Sequence, residues 1–160
     1  MATQQNTNFG NADKLYSTEH RKLGKQIYMA DLDSIEFHYV DSKLVLVAVI
    51  DYKNGNAKLI GTKYPGVQAQ LLVAEGLSLP FYICLDYLAE EIPMYYLLPI
   101  NARAKIQLSD RRPSPGVWMS PREFSQFQHS IRNITFNHHD PDLQKLSDTI
   151  TTYPLPTIQL

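Results

Sequence analysis

Hydrophobic and polar positions change their period several times along the chain, and each change marks an element. In IEFHYV, Ile35, Phe37 and Tyr39 alternate with Glu36 and His38, the two-residue period of a half-buried strand. Asp41-Ser42-Lys43 then reads as a tight turn. The run LVLVAVIDY, Leu44 to Tyr52, is apolar on both parities and predicts a central strand covered on both faces. Lys53-Asn54-Gly55-Asn56 ends it with a strong turn signal. From Val67 to Leu77, VQAQLLVAEGL predicts a helix, and the stretches FYICLDYL and MYYLLPINARA predict two further strands, the second running from Met94 to Ala104. SDRRPSPG is a loop. Ser120-Pro121-Arg122-Glu123 places an N-cap hydroxyl, a proline at the first helical position and a glutamate at the third, opening a helix through EFSQFQHSIRN. A shorter helical segment is expected after Asp140, and the prolines of TTYPLPTIQL keep that stretch extended.

Upstream, Asp13 to Leu23 reads as a short helix with Leu15 and Leu23 inward and Gly24 at its C-cap. Met1 to Ala12 offers little to bury and is expected to be a disordered tail. The predicted organisation is a tail over 1–12 and a single domain over 13–160 with a C-terminal helical extension. The fold class is α/β, a mixed central β-sheet flanked by helices.

Composition narrows the setting. At 160 residues the chain suits one domain, and a formal net charge of -1 argues against nucleic-acid binding by bulk charge. Cys84, the one cysteine, precludes an intramolecular disulfide and suits a reducing compartment. The opening residues lack an apolar signal core, and Leu44 to Ile50 is too short to span a bilayer. The expected setting is cytoplasmic, away from membranes.

The chemistry is concentrated at two strand ends. Asp31, Asp33 and Glu36 stand where one strand begins, and Asp51 and Lys53 where the next ends. Residues 51 and 53 share a parity and so a face of the sheet. If a short turn joins the two strands as antiparallel neighbours, the start of one lies beside the end of the other. Carboxylates gathered this way suit a hard divalent cation, Mg²⁺ or Mn²⁺, which would acidify a water and neutralise phosphate charge. A lysine two residues from a ligand can orient that water. The same residues would also serve as an ordinary cross-strand salt-bridge group.

Asp33 followed by Asp51-Tyr52-Lys53 at the end of an apolar strand resembles the PD-(D/E)XK nuclease superfamily, with its restriction-endonuclease-like fold, and in particular the RecB-type branch. The resemblance implies a nuclease hydrolysing phosphodiester bonds in DNA or RNA. Asp33 and Asp51 would hold Mg²⁺ or Mn²⁺, the Tyr52 carbonyl would add a third ligand, and Lys53 would position the attacking water. It further implies second-tier roles for Glu36 and for Glu19 on the first helix, with His20 as the alternative there, and assistance from Gln68 and Gln70 on the helix after the second motif. A homodimer is an expectation of the same resemblance. The alternative is a catalytically silent module of this fold that binds nucleic acid or a partner protein.

The remaining polar groups carry weaker signals. His20, Arg21 and Lys22, and separately Arg103, Lys105, Arg111 and Arg112, form basic clusters suited either to phosphate contact or to plain solvation. His138-His139 has no zinc-like spacing. Phe81, Tyr82, Tyr95, Tyr96 and Cys84 read as core. No glycine-rich phosphate loop, GxSxG or HExxH occurs, which argues against nucleotide triphosphatase, triad-hydrolase and zincin chemistry.

Overall fold

The computed structural model describes residues 34–57, 59–87, 94–155 and 157–159. The expected tail and first helix, with Glu19, His20, Arg21, Lys22, Asp31 and Asp33, lie outside the described residues.

Strands β1, Ile35–Val40, and β2, Lys43–Asn54, form an antiparallel hairpin. Asp41 and Ser42 between them both have positive φ, 47° and 64°, as the two-residue turns that match strand twist require. The short strand β3, Leu59–Ile60, is followed by helix α1, Pro65–Gly76, and by β4, Phe81–Asp86, which pairs parallel with β2. A helix between parallel neighbours is the usual solution, because the chain must cross back to the same end of the sheet. β5, Tyr95–Pro99, and β6, Val117–Met119, extend the sheet antiparallel, giving the order β1-β2-β4-β5-β6. Helices α2, Ala102–Gln107, α3, Pro121–Ile131, and α4, Pro141–Gln144, fill the remaining connections. β7, Thr157–Ile158, runs parallel to β3 in a separate two-stranded sheet. The architecture is therefore α/β with a five-stranded mixed sheet flanked by helices, as the pattern predicts.

Each face of the sheet has its own core. On one, Val49, Phe81, Ile83, Leu85, Tyr96 and Leu98 pack with Val67 and Ala74 of α1. On the other, Ala48, Ile50, Tyr82, Cys84 and Leu97 pack with Ala104, Leu108 and the α3 residues Phe124 and Phe127. The capping box at Ser120 is formed in both directions: the Ser120 hydroxyl accepts from the Glu123 N–H at 3.2 Å, and Glu123 accepts from the Ser120 N–H at 2.9 Å.

Several elements differ from the sequence pattern. The predicted strand over Met94 to Ala104 stops at Pro99, and a helix begins at Ala102. The cause is Asn101, whose side-chain oxygen caps Ala104 N–H at 3.0 Å and also accepts from Phe81 N–H at 3.1 Å, while its amide donates to the Leu79 carbonyl at 2.9 Å. β2 is covered on both faces only from Ala48 to Asp51, because its first half extends beyond β4 and pairs with β1 alone, leaving Lys43, Leu44 and Val45 exposed. The three residues of β6 and the two of β7 were too short to register as strands and form only because a partner lies beside them.

Candidate functional site at the end of strand β2

The register of the hairpin decides what each β2 side chain faces. Phe37 pairs with Leu46 but Glu36 pairs with Ala48, so Val47 is an extra residue that bulges out of the ladder. Leu46 and Ala48, two positions apart, therefore pack into opposite cores. Beyond the bulge the ordinary alternation resumes, putting Val49 and Asp51 on the α1 side and Ile50 on the other.

Asp51 lies beside Ile83 of the parallel strand β4, near the carboxyl ends of both strands. Its side chain has 0% exposure. A carboxylate there is costly unless a cation meets it. Lys53, two residues on and on the same face, supplies one: its Nζ is 2.9 Å from Oδ1 and 2.8 Å from Oδ2. The lysine side chain keeps 32% exposure, so the pair runs from the protein interior to the surface. Positions 51 and 53 share a face, as the strand period predicts, and their side chains form an ion pair.

Behind them, Gly55 closes the strand end. Its N–H donates to the Asp86 carbonyl at 2.6 Å, and a Cβ at this position would meet the Tyr87 ring at 2.5 Å, so only glycine lets the ring lie flat against the turn. On α1, Gln70 is buried on the side that carries Val67 and Ala74, whereas Gln68 is exposed. Of the two glutamines, Gln70 alone faces the sheet.

Glu36 does not join Asp51. Its partner Ala48 belongs to the opposite core, so the two-residue period turns the Glu36 side chain away from the α1 face. The assignment of Glu36 as an accessory ligand beside Asp51 is corrected accordingly. Instead Glu36 forms an ion pair with Arg132 and accepts from the Ser34 hydroxyl at 3.1 Å and the Tyr52 hydroxyl at 3.0 Å. Gln128 donates to the Tyr52 oxygen at 3.1 Å, and Arg132 donates to the Gln128 carbonyl at 2.8 Å. The Tyr52 side chain thus ties the end of α3 to the strand that carries Asp51 and Lys53. Its hydroxyl is held well above the ordinary tyrosine range, first by burial and then by the Glu36 carboxylate. Burial, then the Asp86 and Glu36 charges, pushes the Cys84 thiol up, so it remains a neutral core group as expected. Nothing in the local sequence could have revealed this network, because Gln128 and Arg132 come from a helix far along the chain.

Two of the four residues of the second basic cluster pair with protein carboxylates. Arg103 pairs with Glu75 at 2.8 Å and Arg111 with Glu123 at 3.6 Å, while Lys105 borders an apolar recess lined by Leu98, Ile100, Pro113 and Pro115. His138 and His139 are exposed. Among the described residues no group of three or more His, Cys, Asp or Glu side chains could hold a metal ion, and no helix is long and apolar enough to cross a membrane.

The fold and this pair define an α/β protein with a buried aspartate paired to a partly exposed lysine near the carboxyl end of a central strand. No family model, curated protein or solved structure matches the chain.

Proposed function

We propose that the chain is a metal-dependent nuclease of the restriction-endonuclease-like fold, hydrolysing phosphodiester bonds in DNA or RNA. The observation that carries this reading is the buried Asp51 bound to the half-exposed Lys53 at the end of β2, beside a parallel strand. Open α/β sheets place their ligand sites outside the carboxyl ends of such strands. The donor chemistry fits Mg²⁺ or Mn²⁺, a hard cation that prefers carboxylate and carbonyl oxygen. Asp51 and the Tyr52 carbonyl would hold it, and the ion would supply an acidified water and neutralise phosphate charge.

Asp33 is the second carboxylate this reading requires. The resemblance assigns it to the same ion as Asp51. With an ion present, Lys53 would turn its ammonium from Asp51 toward the water or phosphate. Its partial exposure leaves room for that movement. Gln70, buried on α1, would contribute an amide to the same side. The nucleic-acid contacts that the resemblance implies for His20, Arg21 and Lys22 belong to the same proposal.

One observation favours the silent-module alternative, in which the fold binds nucleic acid or a partner protein without cleaving. Lys53 lies within hydrogen-bond distance of both Asp51 oxygens, an arrangement already neutral without a cation. A nuclease assay on single- and double-stranded DNA and RNA, with Mn²⁺ or EDTA, separates the two. The expected result is Mn²⁺-dependent cleavage that Asp51→Ala and Lys53→Ala both abolish. Mn²⁺ should raise the melting temperature of the wild type and of Lys53→Ala but not of Asp51→Ala, because an ion bound only to the native state stabilises it. Cleavage by all three proteins alike would refute the assignment, and indifference of the wild type to Mn²⁺ in both assays would favour the silent module.

A further inference from the structure

β1 stands at the edge of the sheet, and among the described residues β2 is its only paired neighbour. The Ser34 carbonyl points toward β2, where it accepts from Ile50. Backbone groups alternate direction along a strand, so the N–H and C=O of Ile35, Phe37 and Tyr39 point away from the sheet. Those same residues carry an apolar stripe. Phe37 is 47% and Tyr39 67% exposed, their rings meet edge to face at 6.0 Å, and exposed Leu44 lies opposite Tyr39. Natural edge strands are commonly guarded by lysine, proline or an inward charge. β1 contains neither lysine nor proline, and its one acid, Glu36, is engaged with Arg132.

The strand is also chemically symmetric about its third residue. Antiparallel pairing with an identical strand centred on Phe37 sets Phe37 against Phe37 of the second copy and Ile35 against Tyr39. On the other face it sets Glu36 against His38. Apolar groups meet apolar groups, and no like charges face each other. This register also makes all three outward-pointing residues hydrogen-bonded partners. A shift of two positions would leave Ile35 facing the turn and place His38 against itself. A twofold interface demands such self-complementarity.

We propose that β1 is the contact strand of a twofold-symmetric homodimer, pairing antiparallel with β1 of a second copy about Phe37. The two five-stranded sheets then join into one. The dimer forms whether or not Asp51 serves a metal ion, so its test is independent of the nuclease assay.

Sedimentation velocity over a wide concentration range, with circular dichroism to verify folding, provides the test. The wild type should be dimeric at high concentration, and Phe37→Lys and Phe37→Glu should each be folded monomers, because like charges then face each other across the axis. Mixing the two variants should restore the dimer, since ammonium now meets carboxylate. If either variant fails to fold, Tyr39→Lys, at a more exposed position, should give a folded monomer in its place. A wild type that stays monomeric at its highest soluble concentration overturns the proposal, as do variants that still dimerise. A mixture of folded variants that remains monomeric overturns the pairing about Phe37.

Discussion

Lys53 and Asp51 form an asymmetric pair, and the asymmetry sets what each mutation costs. Lys53 is partly solvated, so Asp51→Asn lets its ammonium turn to water, and the expected change in stability is within about 1 kcal/mol. Removing the lysine takes from a fully buried carboxylate the ammonium that lies 2.8–2.9 Å away. Lys53→Met should therefore destabilise by about 1–3 kcal/mol, below the range for a wholly buried pair because Lys53 is partly exposed. Urea denaturation of the two variants checks the order, and an Asp51→Asn loss larger than that of Lys53→Met would contradict it. The pair was legible in the sequence because positions two apart on a strand share a face whatever the strand packs against. The placement of Glu36 was not, because it depends on which core its cross-strand partner Ala48 enters.

At the scale of elements, α3 is the best-specified helix. Its capping box is written in Ser120-Pro121-Arg122-Glu123, and it delivers Phe124 and Phe127 to the core, where Phe124 stacks on Tyr95 at 4.1 Å and Phe127 meets Tyr82 edge to face at 5.3 Å. Ser120→Ala removes the acceptor for the Glu123 N–H and should cost about 1 kcal/mol, read as a lower denaturation midpoint at unchanged slope. A changed slope instead would mean that the helix and sheet no longer unfold together. α2 shows the opposite situation. Its residues follow an apolar run without a break in hydrophobicity, and the capping that ends β5 comes from Asn101, which is held by β4 and by the chain just before it. A local signal suffices when a cap bonds its own helix. It fails when the residue is also committed to a distant strand.

For the whole molecule, the many tyrosines packed around the sheet set its response to alkali. Burial lifts the Tyr82, Tyr95 and Tyr96 hydroxyls above the ordinary value of 10.0, and it does the same for Tyr52. The unfolded chain loses these protons near 10.0 while the folded chain still holds them, so the folded state binds more protons above that pH. Their contribution to stability is complete below about pH 10 and falls as the pH rises toward the raised values. Denaturation midpoints should be insensitive to these groups at neutral pH and drop steeply above about pH 10, with part of the tyrosinate absorbance appearing only together with unfolding. Complete ionisation of the tyrosines before unfolding would contradict the burial argument. By itself the sequence determined the types of β1, β2, β4, α1 and α3, the α/β class, the hairpin turn and the shared face of Asp51 and Lys53, because period, capping and turn chemistry are local. Only the tertiary structure decided the parallel pairing of β2 with β4, the bulge at Val47, the clamp of Arg132 and Gln128 on Glu36 and Tyr52, and, among the described residues, the place of β1 at the end of the sheet. Each of these depends on which distant segment supplies the missing hydrogen bond or the opposing apolar surface, and short-range pattern does not encode that choice.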